Sequence, residues 1–320
     1  MSSSKKRPIL GVDELSVSFQ TSLGEVLAAD EVSFRLHEDE TLALVGETGC
    51  GKSVVASSIL QLLPKNAEVH GQVVFEGRDI LRSDEREMSH IRGSKIAVIF
   101  QNPSMSLNPI IRVGEQVAEP LQVHRGIPRH RSVQMALDHL NRMGLRGDTA
   151  IMYPFQFSGG MNQRVMIATS MILSPQIIIA DEPTKGLDDA LARDVVSEVM
   201  KIRDSSGAAL LLITHDLQMA RDVSDRVAVM YCGQIVEMGS RDDIFENPQH
   251  PYTAALLNCL PEKGFQPIPG SSPSMIHSPD GCKFHPRCQK RFERCRLRPP
   301  MEVLAGTKGA SERQVRCWLR

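Results

Sequence analysis

The chain has 320 residues, 41% of them hydrophobic and 23% charged, which suits one large globular domain with a smaller one attached. Its formal net charge of −1 gives no general pull toward nucleic acid or anionic lipid. No apolar run approaches the roughly 20 residues of a bilayer-spanning helix, and the opening MSSSKKRPIL carries no apolar signal core behind its charges, so the chain is expected in the cytosol.

Between residues 9 and 38, short apolar runs alternate with polar positions, as in Leu15-Ser-Val-Ser-Phe19 and Val32-Ser-Phe-Arg-Leu36. This pattern predicts strands of an antiparallel sheet. Thr41-Leu-Ala-Leu-Val45 reads as a short buried strand. It runs into Gly46-Glu47-Thr48-Gly49-Cys50-Gly51-Lys52-Ser53, which fits G-x-x-x-x-G-K-S/T. Beyond it Val55, Ile59, Leu62 and Leu63 recur at helical spacing. In that strand–loop–helix context the glycines let the backbone N–H groups from Gly46 to Val54 turn inward on phosphate oxygens. The start of the helix adds the positive end of its dipole. Lys52 places a charge on the β and γ phosphates of ATP, and Ser53 offers a hydroxyl to Mg²⁺. Cys50 is a small residue at a free position of the loop.

Residues from about 104 to 170 read as mainly helical. Ile177-Ile-Ile-Ala180 is a second buried strand, ending in Asp181-Glu182-Pro183. Ligand sites of α/β sheets lie at such strand ends. Asp181 suits Mg²⁺ held through its water shell, and Glu182 suits the polarisation of an attacking water. Ala208 to Ile213 is a third buried strand. Buried strands separated by helix-forming sequence predict a parallel sheet in an α/β core. Val227 to Gly239 reads as a hairpin around Cys232-Gly233, and Pro261 to Pro279, rich in Pro, Gly and Ser, as a linker.

The last 39 residues hold eleven Lys and Arg against three Asp and Glu, and four of the seven cysteines: Cys282, Cys288, Cys295 and Cys317. Four thiolates make a metal site whose spacing leaves zinc and iron–sulfur both open. The local positive excess suits the negative charge of either. A nucleic-acid patch is the rival reading, but only Phe284, Phe292 and Trp318 are there to stack, so no nucleic-acid partner is expected. His277 and His285 read as bystanders, Cys232 and Cys259 as packing residues.

Phe157-Ser158-Gly159-Gly160-Met161-Asn-Gln163 resembles the L-S-G-G-Q signature of ATP-binding-cassette (ABC) ATPases, and the order phosphate loop, signature, Asp181-Glu182 resembles that family throughout. The resemblance implies an α/β P-loop core with an antiparallel β subdomain and a helical subdomain. The cassette would occupy 1–255 (helical subdomain about 104–170) and a small Cys-rich extension 256–320. It further implies that Gln101, in Val98-Ile-Phe-Gln101, is the Q-loop residue that senses Mg²⁺ and the transmembrane partner. Asp188, after Leu187, belongs to the D-loop. His215, in Leu212-Ile-Thr-His215, is the switch histidine at the γ phosphate, and Phe19 stacks on adenine. Glu182, His215, Gln101 and Lys52 form the catalytic set, and Ser158, Gly159 and Gly160 complete the ATP site of a partner in trans. Phe157, Met161 and Lys185-Gly186 depart from the usual family residues, while Ser158, Gly159 and Gly160 are intact.

Asn247-Pro-Gln-His250-Pro251-Tyr252, the Met-containing signature and Phe100-Gln-Asn-Pro-Ser-Met-Ser-Leu-Asn-Pro109 resemble the oligopeptide/dipeptide/nickel importer ATPases, the D-type subunit in particular. Such a subunit hydrolyses ATP to energise import of di- or oligopeptides, or of a related solute such as a nickel chelate. It lies peripherally on the cytoplasmic face of the inner membrane. Its partners are a second, paralogous F-type ATPase, two permeases and an extracytoplasmic solute-binding protein. The resemblance implies a 4Fe–4S cluster on the four cysteines, with Zn²⁺ as the alternative. The competing reading is a soluble ABC ATPase uncoupled from transport. Such proteins carry two cassettes or a long coiled coil, and this chain has one cassette and no sustained heptads.

Overall fold

A computed structural model describes residues 6–187, 189–305 and 312–320, and the fold divides into two compact units. One comprises residues up to Arg82 together with Leu212–Arg320; the other is Ser83–Leu211.

In the first unit an antiparallel sheet runs in the order Gly24–His37, Pro8–Thr21, Ala67–Phe75, Arg78–Asp79. The alternation seen in the sequence has its expected cause: Val32, Phe34 and Leu36 are buried, while Ser33 is half-buried and Arg35 exposed between them. A second sheet places Thr41–Val45 parallel to Arg226–Tyr231, with Leu42 opposite Arg226. Arg226–Tyr231 pairs antiparallel with Gln234–Ser240, which continues to Glu312–Val315 and then Glu302–Ala305. The predicted hairpin at Cys232-Gly233 is present. Both turn residues have positive φ, 45° and 82°, as a two-residue turn matching strand twist requires.

The C-terminal region packs into the same core. Ala43, Val45, Val227, Val229 and Tyr231 of the strands join Tyr252, Leu257, Phe284 and Cys288 in one buried cluster. The Pro/Gly-rich stretch has no strand and only a short 3₁₀ turn at Pro261–Lys263, yet Ile268 and Met275 pack against that cluster. Further along, Arg298 meets Asp30 at 2.9 Å and Lys283 lies 3.7 Å from the same carboxylate.

In the second unit the stretch predicted to be mainly helical, residues 104–170, carries three long helices. The unit's helices Val113–Arg125, Arg129–Arg142, Gly159–Met171 and Asp189–Ser206 accompany a parallel pair of strands, Ile96–Ile99 and Ile177–Asp181. Ile177, Ile178, Ile179 and Ala180 are wholly buried, the continuous apolar run expected of a strand covered on both faces. The strand Ala209–Thr214 carries the chain from this unit back into the first. Among the described residues no helix is long and apolar enough to cross a membrane.

Candidate functional site

The Gly46–Ser53 loop leaves the buried strand Thr41–Val45 and enters the helix Lys52–Ile59, whose N-cap is Gly51. Gly51 has φ 105°, and a Cβ there would lie 2.0 Å from the carbonyl oxygen of Ala28. Gly46 has φ 158°, and a Cβ there would lie 2.2 Å from Met230 O. No other residue type fits either position, so the loop's course is fixed by its glycines. Thr48, Gly49 and Ser53 are exposed, Val54 is half-buried and Cys50 is buried. Burial pushes the Cys50 thiol above its ordinary pKa, outweighing the nearby Lys52 charge. Lys52 is 5% exposed and its ammonium donates to Gly46 O at 2.8 Å and Glu47 O at 3.0 Å.

The motif marks Glu47 only as one backbone donor among several. Its surroundings are more specific. The Arg287 guanidinium donates to Glu47 Oε2 at 2.9 Å, the Ser272 hydroxyl donates to the same oxygen, and the Glu47 amide donates to the Tyr252 hydroxyl at 3.1 Å. Burial raises the Glu47 pKa, but the bonds from Arg287 and Ser272 and the charge of Arg287 reverse this and leave it below the ordinary carboxylate value. Arg287 and Ser272 escaped sequence reasoning because side-chain pairs 240 and 225 residues apart leave no local pattern. Tyr252 does lie in the His-Pro-Tyr motif, which marked the extension without marking this contact.

The other candidates in the first unit are Phe19 and His215. Phe19 is half-buried on its strand, opposite Val26 and Ala67. His215 is exposed directly after the strand Ala209–Thr214. Asp216 follows it and caps the next helix, accepting from Met219 N at 3.0 Å.

In the second unit Gln101 is half-buried just beyond the strand Ile96–Ile99. Ser158 caps the Gly159–Met171 helix, its hydroxyl accepting from Met161 N at 3.3 Å. Ser158 and Gly159 are exposed at the start of that helix, and Gly160 is buried. Asp181 is half-buried at the strand end, and Glu182 is 8% exposed with φ 49°. A glutamate held in the left-handed region is strained, and such strain concentrates at functional sites. Gln163, 1% exposed, donates to Pro183 O at 2.8 Å, tying the signature helix to the turn that holds the two carboxylates. No local pattern marks that bond, which joins residues 20 apart. Asp188 lies outside the described residues.

The four C-terminal cysteines line one small cavity together with His250, Phe284 and Trp318. None is in a disulfide. Among the described residues no group of three or more His, Cys, Asp or Glu is arranged to hold a metal ion, so the expected ligand geometry is not formed. The donor chemistry nevertheless fits a cation. Burial and repulsion from Cys317, Cys295 and Cys288 push the Cys282 thiol up to about 11, and burial raises Cys288 and Cys317 as well. A bound cation removes that penalty by favouring thiolates. The cavity the four cysteines line is small, with a volume of about 10 Å³.

Comparison with known proteins bears on this arrangement. The ABC transporter family matches residues 29–185, and the oligopeptide/dipeptide transporter C-terminal region matches residues 236–295. The dipeptide transport ATP-binding protein DppD of Bacillus subtilis is 41% identical over 321 residues, covering 98% of this chain and 95% of its own. The oligopeptide transport ATP-binding protein OppD of Escherichia coli is 38% identical, covering 92% of this chain and 89% of its own. The solved structure of the ATP-binding cassette MJ0796, a dimer in a post-hydrolysis state with ADP and Pi, superposes with a TM-score of 0.65 at 26% identity, over 72% of this chain and 98% of that one. Sequence and fold agree, and the chain belongs to the ABC transport ATPases, in the branch that carries the oligopeptide/dipeptide transporter C-terminal region.

Proposed function

We propose that this chain binds Mg²⁺–ATP and hydrolyses it to energise an importer of di- or oligopeptides. The observation that carries the reading is the 41% identity with a dipeptide transport ATPase over 98% of the chain, which also holds the phosphate loop, Ser158-Gly159-Gly160 of the signature and the paired carboxylates. The soluble, uncoupled reading finds no support among these relatives.

In this reading Gly46–Val54 cradle the phosphates, Lys52 neutralises the β and γ groups, and Ser53, Asp181 and Gln101 attend to Mg²⁺. Glu182 polarises the attacking water and His215 contacts the γ phosphate. Phe19 stacks on the base. Ser158, Gly159 and Gly160 serve the partner's nucleotide, and Asp188 is assigned to the D-loop on its motif alone. Two permeases, an extracytoplasmic binding protein and a second ATPase of F-type complete the assembly, with this subunit peripheral on the cytoplasmic face. The cassette is assigned to 1–255 and the extension to 256–320. The four cysteines are assigned to a 4Fe–4S cluster, with zinc as the competing occupant; either would hold the ends of the extension together.

Two measurements test this. Glu182→Gln is expected to bind ATP normally while turnover falls at least ~100-fold, and Lys52→Ala to lose nucleotide binding. Unchanged turnover in Glu182→Gln overturns the role of that carboxylate. Purification from native membranes in mild detergent is expected to recover a second ATPase and two permeases; recovery only from the soluble fraction overturns the transport role.

A further inference from the structure

The C-terminal region takes no part in the phosphate chemistry proposed above, yet it grips the phosphate loop. Arg287 precedes Cys288, and its side chain is 7% exposed. Besides Glu47, its guanidinium donates to Pro269 O and Ser272 Oγ, both at 3.0 Å. It also lies over the Tyr231 ring, 5.8 Å from the centroid. Tyr252, whose hydroxyl accepts from the Glu47 amide, is wholly buried. Its ring packs on Tyr231 and Phe284 with centroids 4.5 and 5.4 Å apart. Phe284 is two residues from Cys282. The second residue of the loop is therefore held at its carboxylate and at its amide, in both cases by residues from outside the cassette motifs.

The chemistry of the loop gives this contact a direction. A carboxylate beside a polyphosphate site repels the ligand unless a cation faces it. Glu47 is such a carboxylate, and Arg287 is the cation bonded to it. We propose that Arg287 is a positioning residue of the ATP site: it supplies the counter-charge of Glu47 and, with Tyr252, holds the phosphate loop in its binding form. Nucleotide affinity thereby depends on the folded state of the Cys-rich region. This rests on the reading that Gly46–Ser53 takes the phosphates of ATP.

The test is titration of the full chain with ATP, alongside thermal melting, for the parent, Arg287→Ala, Glu47→Gln and the double variant. Arg287→Ala is expected to weaken ATP binding by about tenfold, because the carboxylate loses the cation bonded to it. Glu47→Gln, a milder change at a half-buried side chain, is expected to bind about threefold more tightly, because a cation is left facing the phosphates. The double variant is expected to return to within about threefold of the parent while melting no higher than Arg287→Ala. That split separates charge from scaffolding: a purely structural clamp loses affinity whenever stability falls. Parent-like affinity in Arg287→Ala, weaker binding in Glu47→Gln, or no recovery in the double variant overturns the proposal. A parent that fails to bind ATP at all overturns the nucleotide reading itself.

Discussion

Gly51 and Gly49 belong to one motif and have positive φ, 105° and 80°, yet their surroundings differ. A Cβ at Gly51 collides with Ala28 O, whereas one at Gly49 meets nothing within 4 Å. Gly51→Ala is therefore expected to cost ~3 kcal/mol or more, from backbone strain together with the collision, and Gly49→Ala only ~1 kcal/mol. Urea denaturation of the two variants checks this, and equal costs contradict the packing argument. The motif made Gly46–Ser53 legible because each residue type there answers a local demand of phosphate. It could not reveal that Glu182 is held at φ 49°, nor that Gln163 reaches Pro183, because both depend on how distant segments close.

Strands with a half-covered face were legible, since Val32-Ser-Phe-Arg-Leu36 records its burial in alternation. The hairpin was legible from Cys232-Gly233. The pair Glu302–Ala305 and Glu312–Val315 was not, because Glu-Arg-Gln-Val carries no clear apolar period. That last strand is held in part by a buried ion pair. Glu237, 0% exposed, accepts from Arg313, 3% exposed, and from the amides of Gln249 and His250 at 2.8 and 2.9 Å. Arg313→Met is expected to destabilise the protein by ~3 kcal/mol, since it strands a buried carboxylate. A loss below ~1 kcal/mol in urea melts would show the amides suffice. The stretch from Pro261 to Pro279 was legible only by half. Its composition announces the lack of strands, but not that Gln266 N bonds Asn258 O at 2.9 Å or that Leu27 N bonds Met275 O at 3.2 Å. Proline and glycine punctuate the backbone without forbidding packing.

For the molecule as a whole, the family and the nucleotide motifs were in the sequence, while the grip of the C-terminal region on the phosphate loop was not. The cysteines bear on the same region. Anaerobic purification is expected to give a brown protein with iron and sulfide near stoichiometric; a colourless protein with one zinc overturns the cluster assignment. The tail has one more consequence, which follows from its last two strands. Gln234–Ser240, buried for nearly its whole length, is covered on its outer side by Glu312–Val315, and the sheet ends in the four-residue strand Glu302–Ala305. A short border strand of this kind discourages sheets of neighbouring molecules from joining. Without the last two strands, Val236, Glu237 and Met238 would lie on the outer edge of the sheet, paired on one side only. Removing these two strands is therefore expected to promote self-association of the protein, which light scattering would detect.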